Sequence, residues 1–168
     1  MEITKRKLYD FKDRKFPQKI CFEPIGVIHS PFKNLIGIPI QSSMSNAKGK
    51  IEIFTKFQPA LKDLEDFTYI YCLYFFDMVK TPVPLQSKPF LDNEDRGVFA
   101  IRTPFRPNPI GLSIFQIDRI EENEVYINNV DVLDKTPLLD IKPYVPQFDA
   151  KELGNIGWLA DKITNMKS

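Results

Sequence analysis

Between Arg96 and Ser113 the chain reads Arg-Gly-Val-Phe-Ala-Ile-Arg-Thr-Pro-Phe-Arg-Pro-Asn-Pro-Ile-Gly-Leu-Ser. Three arginines and three prolines surround two glycines, and no acidic residue balances them. Each proline fixes φ and removes a backbone donor. Pro104, Pro107 and Pro109 therefore predict a rigid, non-helical loop. Arg102 and Arg106 sit within it, and guanidinium forks held in place suit a carboxylate or a phosphate. A solvated basic turn fits the same composition.

Other chemistries find little support in the residue types. Cys21 and Cys72 have neither metal-ligand spacing nor a disulfide framework. Cys72 lies in an apolar strand pattern and reads as a buried, inert thiol. One histidine, His29, cannot anchor a histidine-based metal site, so no metal is expected. No glycine-rich phosphate loop follows a strand, and βα alternation is missing. Any cofactor is then held by something other than a doubly wound sheet. Ser30, Ser42, Ser43, Ser45, Ser87 and Ser113 have only His29 as a histidine partner and no nucleophile elbow, which argues against a hydrolase.

The elements that must position these residues are mostly strands. A length of 168 residues suits one domain with small appendages. Strands are predicted over Glu23–His29, Lys50–Thr55, Thr68–Met78, Gly97–Ile101, Gly111–Ile120, Glu124–Val130 and Asp140–Val145. Thr68–Met78 is apolar on both faces and predicts a central strand covered on both sides. Glu121, Glu122 and Asn123 read as a hairpin turn. Pro59–Phe67 carries Leu61 and Leu64 at helical spacing. Ile156–Met166 predicts a terminal helix burying Trp158, Leu159 and Ile163. Many short strands with one or two short helices suggest a barrel or a sandwich. The connections 38–48 and 81–95 are long for a compact domain, which suggests functional loops or dimer contacts.

Charge is uneven. Residues 1–21 carry seven Lys or Arg against three acids, a net of +4. The whole chain is +1, so the remainder is −3. Such a basic arm suits nucleic acid, and a solvated tail accounts for it equally. No apolar run reaches about 18 residues, so no membrane helix is expected. The charged start lacks a hydrophobic signal region, which predicts a cytoplasmic protein.

Three motifs in order carry a resemblance to the TsaA/TrmO (YaeB-like) family. Ile25-Gly26-Val27-Ile28-His29-Ser30-Pro31-Phe32 resembles its Ile-Gly-x-Ile-x-Ser-Pro-Phe. Arg96 to Gly111 resembles its Arg-Gly-Val-Phe-Ala-Thr-Arg-Ser-Pro-x-Arg-Pro-Asn-Pro-Ile-Gly, changed at Ile101 and Thr103. Asp131 to Tyr144 is similar to its Asp-x-Leu-Asp-Gly-Thr-Pro-x-x-Asp-Ile-Lys-Pro-Tyr. The resemblance covers about Phe22 to Phe148. It divides the chain into a basic arm (1–21), a barrel domain (22–148) and a C-terminal helical extension (149–168).

The resemblance implies a mainly β fold: a small closed or nearly closed, non-Rossmann β-barrel with one or two short peripheral helices. It implies binding of S-adenosyl-L-methionine, a homodimer, and methyl transfer to N6 of threonylcarbamoyl-adenosine beside the tRNA anticodon. Carried over by position, cofactor contacts fall on Pro39, Ile40, Gln41, Phe76, Asp77, Arg102, Leu112, Asp131, Val132, Leu133 and Asp134. Ile40 stands where the family has arginine, Asp77 where many members have histidine, and Lys135 where it has glycine. Substrate contacts fall on Arg106, Asn108, Lys142 and Tyr144. Alternation puts Asp140, Lys142 and Tyr144 on one face, where Asp140 and Lys142 could pair and Tyr144 could stack. Gly111 before Leu112 would let backbone approach a ligand closely.

The acceptor nitrogen of a carbamoylated adenine is urea-like and a poor nucleophile. A base near its N–H would help, and Asp134, Asp77 and Tyr69 are the candidates. The alternative is a non-catalytic RNA- or nucleotide-binding β-barrel module, which Ile40, Asp77 and Lys135 keep open.

Overall fold

A computed structural model describes residues 16–163. Most of the basic arm therefore lies outside the described residues. Six strands close into an antiparallel barrel in the order β1–β2–β7–β6–β3–β8. They are β1 (Gly26–His29), β2 (Lys48–Ile53), β3 (Tyr69–Phe75), β6 (Ile110–Glu121), β7 (Glu124–Asn128) and β8 (Thr136–Pro143). β4 (Gln86–Ser87) and β5 (Arg96–Gly97) form a small separate ribbon. Two helical segments follow among the described residues, α1 (Pro146–Asp149) and α2 (Ala160–Ile163).

Alternating side chains fill the barrel. Ile28, Ile51, Ile70, Cys72, Phe115, Val125 and Leu138 are fully buried and meet at its centre. Burying a side chain such as Phe115 contributes roughly 1.5–3 kcal/mol. Closure removes the sheet edges that an open sheet would expose. The 122–123 hairpin turn forms as predicted, with Glu122 in the left-handed region at φ 54°.

Several expectations need correction. β3 is covered on one side only: Cys72 and Tyr74 face inward, while Tyr69 and Phe75 remain exposed on the outer wall. In a single-layer barrel the outward residues have no second layer. Gly97–Ile101 is not a strand. Only Arg96–Gly97 pairs, and Val98–Ala100 turns as a 3-10 helix. Its carbonyls go to side chains rather than to a neighbouring strand (below). Pro59–Phe67 is not α-helical either: 3-10 turns span Thr55–Leu61 and Leu64–Asp66. Pro59 lacks a donor, and Asp63 at φ 65° breaks the run. The predicted helix over Ile156–Met166 is described only as far as residue 163, and 164–166 lie outside the described residues: a 3-10 turn over Gly157–Leu159 leads into α2. Trp158 and Leu159 are half-buried there, and Ile163 stays exposed.

Topology decides where the motifs go. β1, β3 and β7 run in one direction and their neighbours in the other. The connections 30–47, 76–109 and 129–135 therefore all emerge at one end, the upper mouth. The connections 54–68 and 122–123 lie at the lower mouth, with the chain before β1 and after β8. Each of the three motifs spotted in the sequence contributes a loop to the upper mouth.

Candidate functional site

The upper mouth is stitched together by side chains from all three loops. Arg102 Nη1 donates to Gln41 Oε1 at 2.6 Å, joining the second loop to the first. Arg102 is otherwise exposed, so the rest of its fork faces solvent. From the third loop, Asp131 reaches the start of β6, where Ser113 Oγ donates to its Oδ1 at 2.7 Å. Tyr74 OH lies 3.0 Å from Ser113 Oγ. A serine hydroxyl has one proton, and here Asp131 receives it, so the Tyr74 phenol is the donor to Ser113. Burial pushes the Tyr74 pKa up and keeps it protonated. Burial also raises Asp131 above the ordinary carboxylate value, against the lowering effect of Ser113 and the Ser42 backbone.

Neither Ser113 nor Tyr74 is among the site residues predicted from the sequence. The available signal is period-2 alternation: Gly111, Ser113 and Phe115 share the inner face of β6, and a hydroxyl among them needs a partner. Gly111 itself departs from its expected role. A Cβ there would come 2.0 Å from Tyr74 Cε2. Gly111 makes room for the Tyr74 ring, not for a ligand.

The other residues distribute as follows. Pro39, Ile40, Gln41, Phe76, Asp77 and Asp131–Asp134 all sit on upper-mouth loops. Asp134 is committed: its Oδ1 accepts from the Ser30 amide at 3.1 Å and its Oδ2 from Lys33 at 2.6 Å. Burial alone would raise its pKa, but Lys33 and the Ser30 N–H outweigh burial and hold it below the usual range. It faces an open groove of about 420 Å³ with His29, Lys33, Lys48, Lys50 and Tyr126. Arg102 and Leu112 do not line that groove. Leu112 points outward from β6 and is 61% exposed. Ser113, next in sequence, points inward to Asp131. Leu112 and Asp131 therefore lie on opposite sides of one strand.

Tyr69 lies at the far end of β3 from Phe75, about 20 Å away at the usual rise per residue. It packs edge-on against Tyr144, ring centroids 6.3 Å apart, and Tyr144 packs on Tyr71 at 5.4 Å. Tyr69, Asp77 and Asp134 are therefore not brought together. Lys142 pairs with Asp140 at 2.8 Å, as alternation suggested. Arg106 turns inward to its own loop: Nη1 donates to Val98 O at 2.7 Å and Ile101 O at 2.9 Å. Asn108 is exposed between its prolines. Lys135 sits at φ 68°, in the left-handed region where the family motif has glycine.

The family model of the tRNA-methyltransferase O N-terminal domain matches residues 27–150. The chain belongs to the TrmO family. This TrmO-family chain is 45% identical over 152 residues to a probable S-adenosyl-L-methionine-binding protein of Pyrococcus abyssi, covering 90% of this chain and 82% of that one. It is 38% identical over 138 residues to a tRNA (adenine(37)-N6)-methyltransferase of Mus musculus, covering 77% of this chain and 32% of that one. A crystal structure of TrmO from Pseudomonas aeruginosa superposes with a TM-score of 0.69 at 33% identity. That likeness covers 83% of this chain and 62% of the other. The fold is thus shared with the Pseudomonas structure, while the chain spans about a third of the mouse enzyme and under two thirds of the Pseudomonas one.

The TrmO-type mouth has donors and acceptors suited to an amino-acid nucleoside. A carboxylate can meet the exposed Arg102 fork, and an ammonium or ribose hydroxyl can meet Asp131. Ile40 and Met44, both exposed on the first loop, offer apolar surface to a base.

Proposed function

We propose that the protein is an S-adenosyl-L-methionine-dependent methyltransferase acting on N6 of threonylcarbamoyl-adenosine next to the anticodon of tRNA. The observation that carries this reading is the meeting of three motif loops at one mouth, with Arg102 fixed by Gln41 and Asp131 fixed by Ser113. When bound, the sulfonium supplies an electrophilic methyl group. The chain's task is to align donor and acceptor and to exclude water.

Arg102 holds the methionine carboxylate, and Gln41 sets the direction of its fork. Asp131 is the best-placed proton acceptor for the urea-like N–H. Its raised pKa suits partial proton acceptance, and Ser113 and Tyr74 keep it oriented. Asp77 is exposed on the same mouth and is available to a ribose hydroxyl. Asp134 serves better as the tie between the first and third loops than as a base.

The outer wall of β3 and β6 supports a homodimer. Leu73 faces Leu112, Phe75 faces Ile110 and Tyr71 faces Ile114 across the two strands. These form a contiguous apolar patch that water would otherwise meet. A second copy seated there would cover Leu112 from the side opposite Asp131. Among the described residues no helix is long and apolar enough to cross a membrane. We place the enzyme in the cytoplasm, where tRNA is found.

The test is incubation with methyl-labelled S-adenosylmethionine and total tRNA, then digestion and nucleoside mass analysis. The expected result is label on threonylcarbamoyl-adenosine. Cofactor binding without a labelled nucleoside would favour a binding module instead, and label on a small metabolite would redirect the substrate.

A further inference from the structure

The family match ends at residue 150, and the chain beyond it returns to the arginine loop. Trp158 Nε1 donates to Ala100 O at 2.8 Å. The Trp158 ring lies under the Arg96 guanidinium, 5.7 Å from its Cζ. Lys162 Nζ approaches Asp92 Oδ1 at 3.4 Å, and Asp92 is also held by Arg96 Nη2 at 2.7 Å. Asp92 is largely covered, its side chain 6% exposed. Two residues four apart on the C-terminal segment thus grip two points of the 76–109 connection.

What they grip matters for Arg102. Among the described residues no strand pairs with the 3-10 turn Val98–Ala100 to take its carbonyls. Arg106 takes those of Val98 and Ile101, and Trp158 takes that of Ala100 between them. Arg102 follows directly. Its side chain is exposed and touches Gln41, so its position depends on the backbone just before it. Gly157 at φ 61° provides the bend that aims the indole.

We infer that residues 157–163 form a strap that sets the position of Arg102, with Trp158 and Lys162 as positioning residues for cofactor binding. The inference rests on the proposed methyltransferase site only for its consequence; the strap itself is a property of the fold. The strap acts through the Ala100 carbonyl and the Asp92 carboxylate and touches no reacting atom. Losing it loosens the loop, so it weakens binding before it slows chemistry.

The experiment uses the full chain with Trp158→Phe, Trp158→Ala and Lys162→Met. Trp158→Phe keeps a ring for Arg96 and removes the N–H. Hydrogen exchange over residues 98–103, measured without ligand, should quicken in both Trp158 variants, more in Trp158→Ala. KM for S-adenosylmethionine should rise about fivefold with kcat retained, the loss of one neutral hydrogen bond. Core amides of β3 and β6 serve as the folding control and should not change. Unchanged exchange over 98–103 in Trp158→Ala overturns the strap, and faster exchange with unchanged KM overturns the role of Trp158 in cofactor binding. If the wild-type chain binds no S-adenosylmethionine, the methyltransferase reading falls, and the exchange measurement by itself decides the strap.

Discussion

Gly111 and Tyr74 occupy one space: a Cβ on Gly111 would lie 2.0 Å from Cε2 and 2.4 Å from Cζ of the phenol ring. The ring cannot move without breaking its hydrogen bond to Ser113 and, through it, the placement of Asp131. Gly111→Ala should therefore destabilise by about 1–3 kcal/mol, as overpacked cores do. Gly97→Ala is the control, since nothing lies within 4 Å of its added Cβ. Urea unfolding of the two variants checks the contrast.

Burial raises the folded pKa of Asp131 above the unfolded value, against the lowering effect of the Ser113 hydrogen bond. A raised carboxyl contributes stability that is fully present below the unfolded pKa, near 3.9, and lost as pH rises through the folded value. At pH 7 the buried charge is therefore a burden. Asp131→Asn should melt higher than wild type at pH 7, and the gap should close below about pH 4. Methyl transfer should fall by about 10²–10⁴-fold in the same variant if Asp131 is the proton acceptor. Thermal melts at the two pH values and a rate assay read both effects.

Arg102→Met should weaken S-adenosylmethionine binding by about 10- to 100-fold, the range for a lost charged hydrogen bond of about 1.5–3 kcal/mol. Arg102→Lys should recover only part, because an ammonium lacks the planar fork. Calorimetry with the cofactor measures each. Equal affinity in wild type and Arg102→Met would remove Arg102 from the site.

Lys135 holds a left-handed backbone at φ 68°, and its amide donates to Ile28 O at 2.9 Å. Glycine adopts this conformation without the Cβ conflict. Lys135→Gly should stabilise by up to about 1 kcal/mol and leave the Ile28 bond intact. Denaturant midpoints check the sign.

Ile114→Glu places a charge in the exposed patch opposite Tyr71. If a second copy covers that wall, the variant should sediment as a monomer where wild type sediments as a dimer. Identical sedimentation of both would leave the patch without this role.

The parts that could be read from residues alone are those set by local rules. Prolines at 104, 107 and 109 stiffen a loop wherever it sits, and alternation marks β6 and β7 without reference to partners. The Asp140–Lys142 pair followed from the same alternation. The misreadings share another cause. The apolar residues on both faces of β3 predict cover on both sides, but residue type alone does not show that a single-layer barrel leaves the outer face without a second layer. Pro59, Leu61 and Leu64 are compatible with a period of 3.0 as well as 3.6 over so short a span. Val98–Ala100 has strand-like residues, yet Arg106 and Trp158 take its carbonyls from positions that no local pattern links to it. The Tyr74–Ser113–Asp131 chain joins two strands and one loop far apart in sequence, so only closure of the barrel creates it.

Glu122 stands exposed at the tip of the β6–β7 hairpin, at the end of the barrel remote from every motif loop. A fluorophore or affinity handle attached there would ride on rigid strands while leaving the ligand-facing end unencumbered. Rotational diffusion and surface immobilisation could then be followed on the same labelled molecule.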